Sequence, residues 1–249
     1  FPYTTLFRSN RELFSKSWDR MPALLDQFET LMLEGDPSLI HRLWMQECLI
    51  ATQRLEVSGY LAREQIERDP MAAFVWEDMI DQEMARRNFD EAERFLQEAR
   101  RRFGDRRPLS EREIAIAILR GDRAGFVELL ENFDDFSGDY TELEALHAAV
   151  SGDEALARQL IDERGEERWF PSYLVWTLLE LGDVDAVSAA VRQLDAQPAG
   201  PTKLAIDFSV TGSALWFDPD DAPNFAARLR EAGVDIYSLP RGVWPAAQR

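Results

Sequence analysis

The sequence predicts an all-α protein built as a solenoid of antiparallel helix pairs, and three observations predict it. First, apolar or small residues recur every 34 positions: Phe28, Ala62, Leu96 and Leu130 form one series, and Leu24, Ser58, Ala92 and Phe126 another. Met45 and Met79 add a third pair at the same interval. A repeat of this length holding two helical stretches marks units that bury their faces only against neighbouring units. Second, strand-like alternation persists nowhere, and apolar residues fall at helical spacing throughout. Third, Gly121-Asp122, Gly152-Asp153 and Gly182-Asp183 each stand between two apolar helical stretches. Glycine takes the left-handed conformation that ends a helix, and aspartate caps the next one. Arg87 holds the equivalent place before Asn88, so the intervals run 34, 31 and 30.

The elements follow in order. Residues 19–34 read as a helix with Leu24, Leu25, Phe28, Leu31 and Met32 on one face, closed by Gly35-Asp36-Pro37. A second helix spans about 38–53, with Ile40, Leu43, Trp44, Leu49 and Ile50 inward. Helices at 55–68 and 71–86 are separated by Asp69-Pro70, because proline suits a first helical turn and disfavours helix in the residue before it. Phe89 to Phe103 is strongly amphipathic, with Phe95, Leu96, Ala99 and Phe103 on its inner face. Shorter helices are predicted near 109–119, 123–133, 140–150, 153–163, 171–181, 184–195, 202–216 and 220–232. The tail from Asp235 is expected to be irregular and to fold back over the last helix. The domain division is therefore 10–233 for the repeat array and 234–249 for the terminal cap.

Trp76-x2-Met79-Ile80, then Arg87-Asn88-Phe89-Asp90-Glu91-Ala92-x3-Leu96-x2-Ala99, then Gly104, resembles a tetratricopeptide repeat. Asp69-Pro70 resembles the junction closing the unit before it. The resemblance is good over residues 71–106. Elsewhere, from 19 to 70 and from 107 to 217, only the rhythm is kept. Ile80, Glu83 and Gly104 depart from the family's usual glycine, tyrosine and proline. The resemblance implies a right-handed superhelix of roughly six helix pairs, with a concave face lined by each unit's first helix. It also implies a non-catalytic module that binds a protein or peptide in that groove.

Residues 1–9 (FPYTTLFRS) match the translation of a common sequencing-library adapter, so they are expected to be foreign to the fold. On that reading the repeat domain is truncated at its N-terminus, and Leu13, Phe14 and Trp18 survive from an interrupted helix. Residues 214–229 resemble the closing segment of tetratricopeptide modules in bacterial signalling proteins. This supports an alternative: the regulatory C-terminal part of a winged-helix transcription regulator or cyclase, with its output domain upstream.

Forty-six acids against 28 bases give a net charge of −18, and lysine occurs only at Lys16 and Lys203. That field opposes direct nucleic-acid binding and suits a basic partner. The arginine-rich, lysine-poor usage fits a GC-rich bacterial genome. Apolar residues make up 45%, enough for a continuous core. The single cysteine, Cys48, permits no internal disulfide. His41 and His147 are far apart without further ligands, no apolar run reaches membrane-spanning length, and no nucleophile elbow or phosphate loop occurs. Neither cofactor, metal nor enzymatic activity is expected.

Partner contact is assigned to Arg86, Arg87, Arg100, Arg101, Trp169 and Phe170. The arginines from 86 to 107 have a structural reading too: Asp90–Arg94 and Glu98–Arg102 are i,i+4 pairs, and Arg100 to Arg102 oppose a helix dipole. An anion-recognising patch is the functional reading. The stretch from Glu131 to Glu167, with twelve acids and two arginines, is either a solvated face or a docking surface for a basic segment.

Overall fold

The computed structural model describes residues 52–132, 141–165, 171–196, 217–231, 233–239 and 241, with scattered positions between 23 and 50. The expectations for residues 1–22, and for Cys48, Trp169, Phe170 and the 202–216 helix, lie outside the described residues. Among the described residues every regular element is helical and none is a strand. The helices are α1 (Leu55–Arg68), α2 (Ala73–Ala85), α3 (Phe89–Phe103), α4 (Arg107–Arg120) and α5 (Arg123–Glu131). They continue as α6 (Thr141–Val150), α7 (Glu154–Arg164), α8 (Pro171–Glu180), α9 (Val184–Ala196) and α10 (Pro223–Glu231). Short 3-10 turns occupy Pro219–Asp221 and Ile236–Ser238. No helix among these residues is long and apolar enough to cross a membrane.

Packing stays local in sequence. α1 packs on α2, α2 on α3 and α4, α3 on α4, α4 on α5, α5 on α6, α6 on α7 and α8, α8 on α9, and α9 on α10. Every described member of the 34-residue series is buried: Ser58, Ala62, Met79, Ala92, Leu96, Phe126 and Leu130. Small members such as Ala62 and Ala92 let helices approach closely, and Phe126 and Leu130 fill the space between them.

One backbone turn recurs along the chain. Gln53, Arg87, Gly121, Gly152 and Gly182 all have positive φ, between 58° and 87°. At each, that residue's N–H donates to the carbonyl three residues back, and the next N–H to the carbonyl five before itself. The pairs run from Gln53 to Ile50 and Arg54 to Leu49, through Arg87 to Met84 and Asn88 to Glu83, to Gly182 to Leu179 and Asp183 to Leu178. This pair of hydrogen bonds satisfies carbonyls that the end of a helix leaves open. Asp122, Asp153 and Asp183 then cap the following helix, accepting from the N–H of Gly125, Leu156 and Ala186. The glycine-aspartate reading holds, and Arg87 takes the place assigned to it. Gln53, one period earlier, was not foreseen.

A side chain at a left-handed position costs about 1–2 kcal/mol. Gly152 has φ of 87° and open space where a Cβ would project, so Gly152→Ala is expected to lose about 1 kcal/mol through backbone strain alone. Urea denaturation checks this, and an unchanged midpoint would contradict it.

Several polar side chains tie helices 27 to 32 residues apart in the chain. Gln82 Nε2 donates to the Leu55 carbonyl at 2.7 Å across 27 residues, and Arg86 Nη2 to the same carbonyl at 2.9 Å across 31. Arg87 reaches the Leu119 carbonyl across 32 residues, and Arg123 the Val150 carbonyl across 27. Asp195 accepts from the Asn224 side chain and the Phe225 backbone, 29 and 30 residues on.

The junctions are tied as well. Trp76 Nε1 donates to the Pro70 carbonyl at 3.0 Å, fixing α2 to the Asp69-Pro70 corner. Glu83, at the family's tyrosine position, accepts from the Asn88 side chain at 3.0 Å. Beyond α10, Val234 and Ile236 join the core and Arg241 donates to the Phe217 carbonyl at 2.7 Å.

Candidate partner-binding groove

The arginines singled out in the sequence divide into two groups. Arg86 and Arg87 sit at the α2–α3 turn and reach other helices. Arg86 bonds the Leu55 carbonyl and lies 3.0 Å from Glu56, while Arg87 bonds the Leu119 carbonyl at 3.2 Å with its guanidinium over the Phe89 ring. Burial lowers the proton affinity of Arg87. Arg100 and Arg101 belong to the last turn of α3. Arg101 is exposed and ion-paired with Glu98, which Arg102 also engages at 2.8 Å. Arg100 grips Glu113 on α4 through both terminal nitrogens, at 2.9 and 2.6 Å, and lies 3.2 Å from Asp105. The hydrogen bond to Glu113 is the largest influence raising the Arg100 pKa, and burial opposes it.

The Glu98–Arg102 pair matches the sequence reading; Asp90–Arg94 does not form. Arg94 pairs with Glu91 instead, and Asp90 holds Arg120 on α4 at 2.7 Å. Arg120 also bonds Glu93. A lateral partner on the next helix has displaced the intrahelical one, and the spacing along α3 carries no sign of it.

These pairs edge a groove of about 460 Å³ between α3 and α5, with α4 beneath. Its apolar lining is Leu129, which is partly exposed, with Leu96, Ile116 and Ala117, which are buried. Glu93, Gln97, Arg100, Glu113, Arg120, Asp122, Glu128 and Asn132 supply its polar surface. Thus Arg100, one of the residues expected to contact a partner, lines the groove; Arg86 and Arg87 do not. The groove is lined by α3, α4 and α5 together.

A buried polar seam joins α2 and α4. Arg112 on α4 presents its guanidinium fork to Asp81 on α2, Nε at 2.9 Å and Nη2 at 2.6 Å, and its Nη1 donates to the Pro108 carbonyl at 3.0 Å. The Glu77 carboxylate lies 3.7 Å away, and Asp78 is buried on the same helix. Burial pushes the Asp81 carboxyl above its ordinary range while Arg112 pulls it back. Further along, Glu142 on α6 is buried and paired with Arg164 at 3.2 Å. The Tyr173 phenol on α8 is pushed up by burial and then by the Glu111 and Glu142 carboxylates. The seam fixes the register of packed helices, because a guanidinium fork accepts a carboxylate in few orientations.

Glu111 gives the seam a pH signature. Its pKa is raised, mainly by burial, with Glu77 and Asp81 adding and Arg112 and Arg107 opposing. A folded-state pKa above the unfolded value means stability present at low pH and lost as pH rises through the folded pKa. Glu111→Gln, which mimics the protonated form, is therefore expected to be more stable than wild type at neutral pH. That advantage should shrink in mild acid. Denaturation midpoints measured across this range check it, and a constant difference would refute it.

No family model, curated protein or solved structure matches the chain. The structure defines the class: an all-helical protein whose helices pack mainly on near neighbours in the chain.

Proposed function

We propose that the chain is a non-catalytic protein–protein interaction module: a right-handed, tetratricopeptide-like solenoid of antiparallel helix pairs that holds a protein or peptide in an open groove. The observation that carries this reading is the turn repeated at Gln53, Arg87, Gly121, Gly152 and Gly182, with polar ties about one unit apart. Units joined in series display extended surface without closing around a single core. The groove beside Arg100 combines a small apolar lining with a polar rim, as protein-binding patches do. Arg112 and Asp81 join α4 to α2, and the groove borders α4 as well as α3 and α5, which supports it as the docking surface.

The test places a photo-crosslinking residue at Gln97, exposed on the groove, and at Gln159, exposed on α7 as the reference. Irradiation in the source extract is expected to give a discrete adduct from Gln97 and none from Gln159. No adduct, or equal adducts from both, counts against the reading.

A further inference from the structure

We infer that the occupant of the α3–α4–α5 groove is a basic segment of a partner, an extended stretch in which arginine or lysine alternates with aliphatic residues; this rests on the module reading above. Charge is the first reason. Four carboxylates line the groove, on Glu93, Glu113, Asp122 and Glu128, against two guanidiniums on Arg100 and Arg120. Both guanidiniums are already engaged by two carboxylates each: Arg100 by Glu113 and Asp105, Arg120 by Glu93 and Asp90. An incoming anion would have to displace those pairs. Glu128, by contrast, stands exposed on the rim and has no arginine partner among the described residues. The surplus at the groove is negative, matching the −18 of the whole chain.

The floor gives the second reason. Leu129, partly exposed, and the edges of the buried Leu96 and Ile116 form the lining between charged groups, so a ligand must present apolar and charged groups to different sides. An extended peptide does this with a period of two.

The experiment measures binding of a fluorescein-labelled peptide of alternating Arg and Leu, and of its Glu–Leu counterpart, by anisotropy at low and physiological salt. Two variants of the full chain are compared with wild type. Gln97→Lys/Glu128→Lys changes two exposed groove positions, and Gln159→Lys/Asp162→Lys makes the same charge change on α7. Unaltered circular dichroism and melting establish that both fold. The Arg–Leu peptide is expected to bind, to weaken with salt, and to lose affinity roughly fivefold or more with the groove variant but less than twofold with the α7 variant. Equal losses would overturn the inference, since attraction would then follow net charge alone. Tighter binding of the Glu–Leu peptide would overturn the basic chemistry and leave the module reading intact. Failure of both peptides overturns the inference; the Gln97 crosslink then decides whether the module reading falls with it.

Discussion

Arg112→Met is expected to destabilise the protein by about 3 kcal/mol or more, the cost of removing one partner from a buried ion pair. The loss comes less from the pair's own attraction than from what it leaves behind. Asp81 keeps 10% of its side-chain exposure and Arg112 18%, so neither charge can turn to water. Without the guanidinium, Asp81 remains buried beside Asp78 and near Glu77, and the Pro108 carbonyl loses a donor. Asp81→Leu combined with Arg112→Met is expected to recover most of the loss, because the stranded charge goes too. Urea denaturation of the two singles and the double provides the measure. A single-variant loss under about 1 kcal/mol, or a double variant as damaged as Arg112→Met, would show that the seam is not what couples α2 to α4.

The second large effect is Phe126→Ala, expected to cost about 3–5 kcal/mol. Phe126 is fully buried on α5, where the equivalent positions one and two units earlier are Ala92 and Ser58. Truncation leaves a cavity lined by relatively rigid neighbours, and relaxation around it is only partial. Phe126→Leu retains most of the volume and is expected to cost under about 1.5 kcal/mol. A loss near zero for the alanine variant would mean that α5 is not packed into the array.

Much of the architecture was legible because repetition exposes it. The series through Ala62, Leu96 and Leu130 marks buried positions directly, since the same interval returns an inward-facing position on α1, α3 and α5. The Gly-Asp pairs mark turns, because their backbone and capping demands are met by few residue types. Gln53 escaped notice for the converse reason: a glutamine holds a left-handed turn with no glycine to signal it. Boundaries shifted where local chemistry intervened. The predicted 220–232 helix starts at Pro223, after a 3-10 turn in which Asp218 accepts from the Asp220 N–H.

The groove was legible only in part. Arg100 was singled out by charge, but its partner Glu113 is 13 residues away, on another helix. Arg120 meets Asp90 across 30 residues, against an intrahelical alternative that spacing favoured. Such choices depend on how helices cross, which periodicity does not encode. The seam around Arg112 was missed because its carboxylates, spread along a very acidic chain, look like solvated surface until the packing buries them.

Serial support between neighbouring helix pairs is the claim on which the rest depends, and native-state hydrogen exchange on Phe126→Ala tests it most directly. The account predicts that amide protection falls chiefly in α3 to α6, the elements near the new cavity, with α1 and α9 changed least. Equal loss of protection in every helix, whatever its distance from position 126, would contradict it.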